Sequence, residues 1–327
     1  MNPLLVEGGG RTVYFTMSLW DPYDVYLAKA TFDIDFETRW DAALSSAAFD
    51  ANWSHGLPTD EHRTLVDNGG TVRVSAATVM REMVIGSDVS LGGAVQVSPS
   101  GSLTTGGGGV VLSRTSTSEA ELVVAGGRLE IQADANGAGD MIVGERGPAT
   151  FTLTAGETRL AGNLTSAVFG SRATIEHSGG TLEAKELLLG GEGQSDYALS
   201  SGGVLTARGL MVLVALSTAS AVPSRIGLVI GERGSAQYTI SDGTLDVPGV
   251  VWIAGQGGSQ GELAIEGGAV RVGGDLVVGQ QGQGVLTQSD GTLQVDGRLR
   301  VGNGRLEVTG GDLTVGSYQQ DTGSTLE

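Results

Sequence analysis

Residues 228–247 read LVIGERGSAQYTISDGTLDV, and the same arrangement returns in the residues that follow. The runs LVIG, QYTI and GTLDV are succeeded by WIAG, ELAI and GAVRV, then by LVVG, VLTQ and GTLQV, and LRVG begins another round. Apolar and polar residues alternate within each run, and Gly, Ser, Asp or Asn separates the runs. This alternation predicts three short strands per round, joined by tight turns.

Glycines mark the length of the repeat. The first run of each round closes at Gly231, Gly255, Gly279 and Gly302, with spacings of 24, 24 and 23 residues. Such a unit is too short to hold a helix in addition to its strands, and no segment shows a sustained apolar period of 3.6 residues. We therefore expect an all-β chain, a right-handed parallel β-helix with three-strand coils, because parallel crossover connections are almost always right-handed.

Apolar residues occupy equivalent places in successive rounds. Seven residues beyond four of the strand-closing glycines, the sequence has Phe151, Tyr197, Tyr238 and Leu286. The third runs supply a second equivalent series, Leu182, Leu205, Leu245, Val270 and Leu293. If the coils stack in parallel, each series forms a ladder of inward side chains. Upstream, Gly86, Gly144, Gly170 and Gly190 extend the strand-closing pattern with looser spacing.

The chain divides into two parts by composition. Ten of its 16 aromatic residues fall between Tyr14 and Trp53. We assign residues 1–75 to an aromatic-rich N-terminal β cap or entry module, since a solenoid must cover its end, and residues 76–327 to the repeat domain. We expect corner loops at residues 104–120 and 216–226, and a buried strand followed by a loop insertion in residues 208–222. The final GSYQQDTGSTLE resembles an interrupted repeat, so we expect a truncated last coil.

Composition narrows the classes of partner. The chain has 55 Gly and only 7 Pro among 327 residues, and 40% of its residues are hydrophobic, which argues against both collagen and disorder. With 19 basic and 37 acidic residues its net charge is −18, so nucleic acid and anionic membrane surfaces are not expected partners. The chain has no cysteine, which excludes disulfides and thiolate metal sites.

A family resemblance starts near residue 36 and covers most of the chain. Its motifs are Trp40-Asp41, then Asn52-Trp53-Ser54, Gly56-Leu57-Pro58 and DNGGTVRV at residues 67–74, followed by the LxVG and GGTLxV repeats. The chain thereby resembles exported bacterial parallel β-helix repeat proteins, either autotransporter-passenger-like or C-terminally sorted. The resemblance implies an extracellular or cell-surface location and a structural or adhesive role. The N-terminal stretch itself lacks the pattern of a secretory signal.

The tryptophans and histidines are the first candidates for binding chemistry. Trp20, Trp40 and Trp53 could stack on sugar rings, but we favour packing inside the N-terminal module, because aromatic side chains bury the most surface. His55 and His62 lie beside Asp60 and Glu61 in a polar stretch that lacks a complete metal shell, so we predict a solvated loop.

Two further stretches are candidates for chemistry. The segment DANGAGD at residues 134–140 has the oxygen ligands that suit calcium, but it occurs once and without EF-hand spacing, so we interpret it as a turn insertion. The repeated GERG stretches place Glu145-Arg146 and Glu232-Arg233 opposite Gln256-Gly257 and Gln280-Gln281 when the rounds are aligned by their glycines. We therefore predict solvated corner residues there, with positive φ at Gly144, Gly231, Gly255 and Gly279.

An enzyme is the main alternative, because many polysaccharide lyases and hydrolases are parallel β-helices. They need stacked or paired carboxylates on one face. The outward slots of the third strands are instead Glu183, Thr206, Asp246, Arg271 and Gln294. We therefore expect no catalytic residue, metal or cofactor, and a structural or adhesive surface module whose partners are surface polysaccharides or other surface proteins. A carbohydrate-active enzyme and an end-to-end filament subunit are the alternatives.

Overall fold

The computed structural model describes residues 3–7, 12–20, 23–31, 36–41, 44–46, 52–87, 91–135, 139–208, 210–212 and 224–327. Three N-terminal strands form a separate antiparallel sheet in the order β1 (Pro3–Glu7), β2 (Thr12–Trp20) and β3 (Tyr23–Thr31). All 29 remaining strands belong to one continuous sheet.

That large sheet is a parallel β-helix of about 11 turns, as the repeat predicts. Each coil contributes a strand to each of three faces. The strands of face 1 are β4 (Phe36–Arg39), β6 (His62–Val66), the second halves of β8 (Ala77–Ile85) and β10 (Ser102–Leu112), β12 (Met141–Val143), β14 (Leu164–Ser166), β17 (Leu187–Leu189), β21 (Ser224–Ile230), β24 (Val250–Ile253), β27 (Leu276–Val278), and the second halves of β29 (Thr292–Val301) and β31 (Asp312–Gln320).

Face 2 carries the longest row of separate strands. Its strands are β5 (Leu44–Ser46), β7 (Thr71–Val74), β9 (Gly93–Val97), the first halves of β11 (Ala120–Ile131) and β13 (Ala149–Leu160), β15 (Arg172–His177), β18 (Gln194–Leu199), β22 (Ser235–Ile240), β25 (Gln260–Ile265), β28 (Gln283–Gln288), β30 (Gly304–Val308) and β32 (Thr325–Leu326).

Face 3 is built by the other halves of the long strands together with four short ones. It comprises the first halves of β8, β10, β29 and β31, the second halves of β11 and β13, and β16 (Thr181–Ala184), β19 (Val204–Ala207), β23 (Thr244–Val247) and β26 (Ala269–Val272). The remaining strand, β20 (Leu210–Val212), pairs antiparallel with β21.

The parallel pairing begins at Phe36, which pairs with His62, inside the segment that we assigned to the N-terminal module. The right-handed turn and the end-covering role of the N-terminal strands stay predictions. Between residues 104 and 120 the expected loop is shorter than predicted, because β10 continues to Leu112 and turns the corner from face 3 to face 1 without leaving the sheet. Of the expected insertion after residue 208, the strand β20 is present, and residues 213–223 lie outside the described residues.

The inward ladders are confirmed on two faces. On face 2, residues paired in register across successive coils are Leu122, Phe151, Ile175, Tyr197, Tyr238, Leu263, Leu286 and Leu306. On face 3 the ladder Leu182, Leu205, Leu245, Val270 and Leu293 is also in register. All these side chains are buried and belong to one core that extends from Trp40 to Leu306. Burial stabilises the fold by about 1.5–3 kcal/mol per side chain. Only stacked coils gain this free energy, because a single coil is open above and below.

The corner after face 1 repeats its backbone conformation in eight consecutive coils. The residues with positive φ there are Gly86, Ser113, Gly144, Ala167, Gly190, Gly231, Ala254 and Gly279. Our prediction of a glycine at this corner is therefore wrong in two coils. Ile253 pairs with Ile230 and Val278, so Ala254 and not Gly255 occupies the corner.

The second correction concerns the coil upstream. Ser166 pairs with Val143, so Ala167 occupies the corner, and Gly170 lies three residues farther along, in a turn. A left-handed backbone disfavours side chains but does not exclude small ones such as Ala or Ser. Glycine alone is therefore an inexact marker of this corner.

Candidate functional site

The surface is concave along part of face 2. Three cavities of about 540, 160 and 330 Å³ follow one another along this face. Thr174 lines the first and second, while Asp196 and Gln237 line the second and third. The shared residues make the three cavities one groove, which extends from Gly69 to Val285. We call it the face 2 groove.

Two rows of outward side chains line the face 2 groove. The central row, in register from coil to coil, is Glu121, Thr150, Thr174, Asp196, Gln237, Glu262 and Val285. The row at the start of the strands is Arg172, Gln194, Ser235, Gln260 and Gln283. Alternation along a strand points these side chains outward while their neighbours enter the core. Adjacent rungs are about 4.8 Å apart, the spacing of hydrogen-bonded strands.

Glycines open the groove at its wide end. A side chain at Gly93 would place its Cβ 2.2 Å from the carbonyl oxygen of Val66, and one at Gly92 would meet the carbonyl oxygen of Glu119 at 1.8 Å. Only glycine fits both positions, so no side chain fills the floor there. Close approach of successive coils thus creates the depth of the groove.

The groove combines polar side chains with apolar surface, and its charged side chains make it mildly acidic. The Arg172 guanidinium lies 3.4 Å from an Asp196 carboxylate oxygen, which also accepts a hydrogen bond of 3.4 Å from the Gln194 amide. Glu121 and Glu262 have no ion-pair partner among the described residues. Amides and hydroxyls both donate and accept hydrogen bonds, so the rows can bind a ligand that alternates donors and acceptors.

Trp40 and Trp53 pack inside the protein and do not form a binding surface. Trp40 and Trp53 are buried, and their rings pack edge to face with centroids 4.7 Å apart. The packing interpretation is confirmed for these two residues. The side chain of Trp20 lies outside the described residues.

The polar stretch near His55 and His62 makes local hydrogen bonds. His55 is exposed and its Nδ1 lies 3.0 Å from the Ser54 hydroxyl. The Nδ1 of His62 accepts a hydrogen bond from the Thr59 backbone amide, and partial burial lowers the pKa of His62. Within the described ranges, no three His, Asp or Glu side chains are grouped closely enough to hold a metal ion.

The calcium-like stretch and the GERG stretches lie at coil connections. Residues 136–138 lie outside the described residues, while the Asp140 carboxylate accepts a hydrogen bond of 2.7 Å from the Asn163 amide of the next coil. Arg114 binds Glu145 at 3.3 Å and Glu82 at 2.9 Å, which links three successive coils. Arg146 is exposed and lies 4.7 Å from the ring centroid of Phe169.

The corner register also corrects the alignment of the GERG residues. Glu232 follows the corner residue Gly231, as Gly255 follows Ala254 and Gln280 follows Gly279. Glu232 therefore has Gly255, and not Gln256, as its equivalent in the next coil. Residue type still varies at this place, as expected for a corner. Burial raises the pKa of Glu145, so this side chain is less solvated than we predicted.

On face 3, the outward slots are in the predicted register and their carboxylates are paired with arginines. Glu183 lies 3.2 Å from Arg159 and 2.7 Å from Arg208, and Asp246 lies 3.3 Å from Arg271. Charges of opposite sign thus alternate along this face, and it has no row of adjacent carboxylates among the described residues.

Comparison with known proteins adds no further constraint. No family model matches the chain, and no curated protein or solved structure is significantly similar to it. In the described part of the chain, no helix is long and apolar enough to cross a membrane.

Proposed function

We propose that this chain is a structural and adhesive β-helix module of the bacterial cell surface, which binds a neutral polysaccharide lengthwise in the face 2 groove. The observation that supports the proposal is the continuity of the groove, whose polar rows repeat at every coil. An extended polymer aligned with the helix axis meets an amide, a hydroxyl or a charged group from at least one of the two rows at each rung. The surface location rests on the resemblance to exported repeat proteins.

Charge favours a neutral polymer over an anionic one. The whole chain carries a net charge of −18, and Glu121, Asp196 and Glu262 line the groove. Both the net charge and these carboxylates repel a polyuronate or a sulfated glycan. Hydroxyl groups of a neutral sugar can instead donate to these carboxylates and to the amide oxygens of Gln237 and Gln260.

Affinity should rise with polymer length. A hydrogen bond exposed to water contributes about 0.5–1.5 kcal/mol net, so one sugar unit on one coil binds weakly. Sugar units of one polymer that bind to successive coils are linked, so each further unit binds intramolecularly. Their binding free energies therefore add for as long as the polymer follows the groove.

A glycan array followed by titration with oligosaccharides of increasing length tests this proposal. We expect neutral glycans to bind, with affinity that increases with length. Thr174→Trp and Gln237→Trp place bulk in the groove and should weaken binding at least about tenfold, since they block units that act together. Thr206→Trp, at a matching outward position on face 3, is the control and should bind as the wild type does.

Three results would reject the proposal. These are failure of every neutral glycan to bind, equal effects of the Thr206 and Thr174 variants, and affinity independent of length. Release of new reducing ends from a bound glycan would instead establish a carbohydrate-active enzyme.

A further inference from the structure

A second cavity, of about 250 Å³, lies on face 1 and has a different chemistry from the groove. Leu188, Val229 and Trp252 form one of its walls as three successive rungs of face 1, in register through β17, β21 and β24. Ile226 also lines it. We call it the Trp252 cavity. Its walls are mainly apolar, whereas the two wider parts of the face 2 groove are about equally polar and apolar.

The strand register changes beside the Trp252 cavity. The pairing of β21 with β24 shifts between Ile226 and Leu228, as in a β-bulge. Gly227 lies at this shift. A Cβ there would lie 2.4 Å from the Val247 Cγ1 atom, so the core leaves no room for a side chain at Gly227.

Two carboxylates lie at the edges of the cavity. Glu186 is only 8% exposed, and its Oε1 atom is buried without a hydrogen-bond partner. Glu232 lines the other edge, where the chain turns the corner. Neither carboxylate has an ion-pair partner among the described residues. A buried carboxylate without a partner carries an energetic penalty that a bound cation would remove.

The charged groups nearest to Glu186 do not satisfy it. Burial raises the pKa of Glu186, Lys185 opposes this rise by attraction, and Asp140 adds to it by repulsion. Glu186 is the unsatisfied group in the cavity, and Trp252 supplies an aromatic ring, the side chain that attracts organic cations best.

From these contacts we propose that the Trp252 cavity binds a small organic cation, an ammonium group attached to an apolar group. The ammonium lies between Glu186 and Glu232, and the apolar part packs on Leu188, Val229 and Trp252. The proposal is independent of glycan binding, because no residue lines both the cavity and the groove.

Titration of the full chain with 2-phenylethylammonium chloride tests the proposal, with 2-phenylethanol as an uncharged molecule of similar size. Calorimetry measures affinity, and the part of the tryptophan fluorescence response that is lost in Trp252→Leu reports the site. We expect the cation to bind about tenfold more tightly than the alcohol or better. Glu186→Gln should abolish this preference.

Matched variants separate the roles of the wall and the charge. Trp252→Leu keeps an apolar wall but removes the aromatic ring. It should weaken binding of the cation about tenfold and remove the fluorescence response. Leu188→Trp fills the cavity and should prevent binding of both molecules. Glu176→Gln, an exposed carboxylate on face 2, is the control and should leave binding unchanged. Circular dichroism of each variant verifies folding.

Equal binding of cation and alcohol would overturn the proposal, as would a preference that survives Glu186→Gln in a folded variant. Failure of the cation to bind in the millimolar range would also overturn it. A groove variant such as Thr174→Trp should leave cation binding intact, so failure of the glycan proposal is distinguishable from failure of this one.

Discussion

Alanine at two equivalent glycines should cost very different amounts of stability. Gly144 and Gly231 both end a face 1 strand, and both have φ of 75°. Their backbone strain on substitution is therefore the same. They differ in what a Cβ would contact. At Gly231 it would lie 2.2 Å from the carbonyl oxygen of Gln260, whereas at Gly144 the nearest atom is the carbonyl oxygen of Arg172, at 3.1 Å.

The strain common to both substitutions is small. A left-handed conformation costs a residue with a side chain about 1–2 kcal/mol. Replacing glycine also lowers the conformational entropy of the unfolded chain, which stabilises the folded state by about 0.4–1 kcal/mol. Gly144→Ala should therefore destabilise by about 0–1.6 kcal/mol, consistent with the Ala that already occupies the corner at Ala167 and Ala254.

Gly231→Ala adds a steric conflict to that strain. The contact at 2.2 Å is with backbone, so a side-chain rotation cannot relieve it, and two coils must separate. Overpacking of this kind costs about 1–3 kcal/mol. We expect Gly231→Ala to be less stable than Gly144→Ala by that amount. The reverse substitution, Ala254→Gly, should change stability by less than about 1 kcal/mol.

Guanidinium denaturation followed by far-UV circular dichroism measures these differences, with the three variants and the wild type compared at equal protein concentration. The slope of each transition must be similar for the midpoints to be comparable. Equal midpoints for Gly144→Ala and Gly231→Ala would refute the reasoning, because the two share their φ and differ only in the contact with the next coil.

Two further predictions concern the polar cluster inside the core. The Tyr238 hydroxyl is buried without a hydrogen-bond partner, so Tyr238→Phe should raise stability by about 1 kcal/mol, whereas Tyr197→Phe, which removes the 3.2 Å hydrogen bond to His177, should lower it by about as much. Equal shifts of the thermal midpoint for the two variants would contradict this. Burial lowers the pKa of His177 below its ordinary value of 6.5, so the unfolded chain binds a proton more readily there. The resulting stability is complete above about pH 6.5 and is lost as the pH falls toward the lowered pKa of the folded state. His177→Gln should flatten this part of the curve of melting temperature against pH, and an unchanged slope would show that other groups dominate.

The face 2 groove was only partly predictable. Period-2 alternation identifies Thr174, Asp196 and Gln237 as outward residues, and they are outward. It does not distinguish a concave face from a flat one. Concavity depends on contacts between coils, such as those that exclude a side chain at Gly93, and these contacts join residues far apart in the chain.

The Trp252 cavity was even less predictable from the sequence. Glu186, Gly227 and Trp252 belong to three successive coils, and nothing in their spacing relates them. Parallel pairing of successive coils brings the wall residues Leu188, Val229 and Trp252 together, and the pairing of β21 with β24 shifts by one residue between Ile226 and Leu228. A shift of one residue is not visible in the repeat pattern.

The amino-acid sequence by itself determined the all-β repeat, the three strands per coil and the inward ladders, including Leu205 and Tyr238. Alternation of side chains is a local property of the backbone, and a repeat of fixed length can bury its apolar side chains only by stacking. The tertiary structure alone decided the exact corner register. Ala254 takes the position that Gly255 was expected to hold, because Ile253 pairs in register with Ile230 and Val278 and the corner follows directly after it. Register depends on pairing with the neighbouring coils, whereas the sequence of one coil indicates only which residue adopts a positive φ most easily.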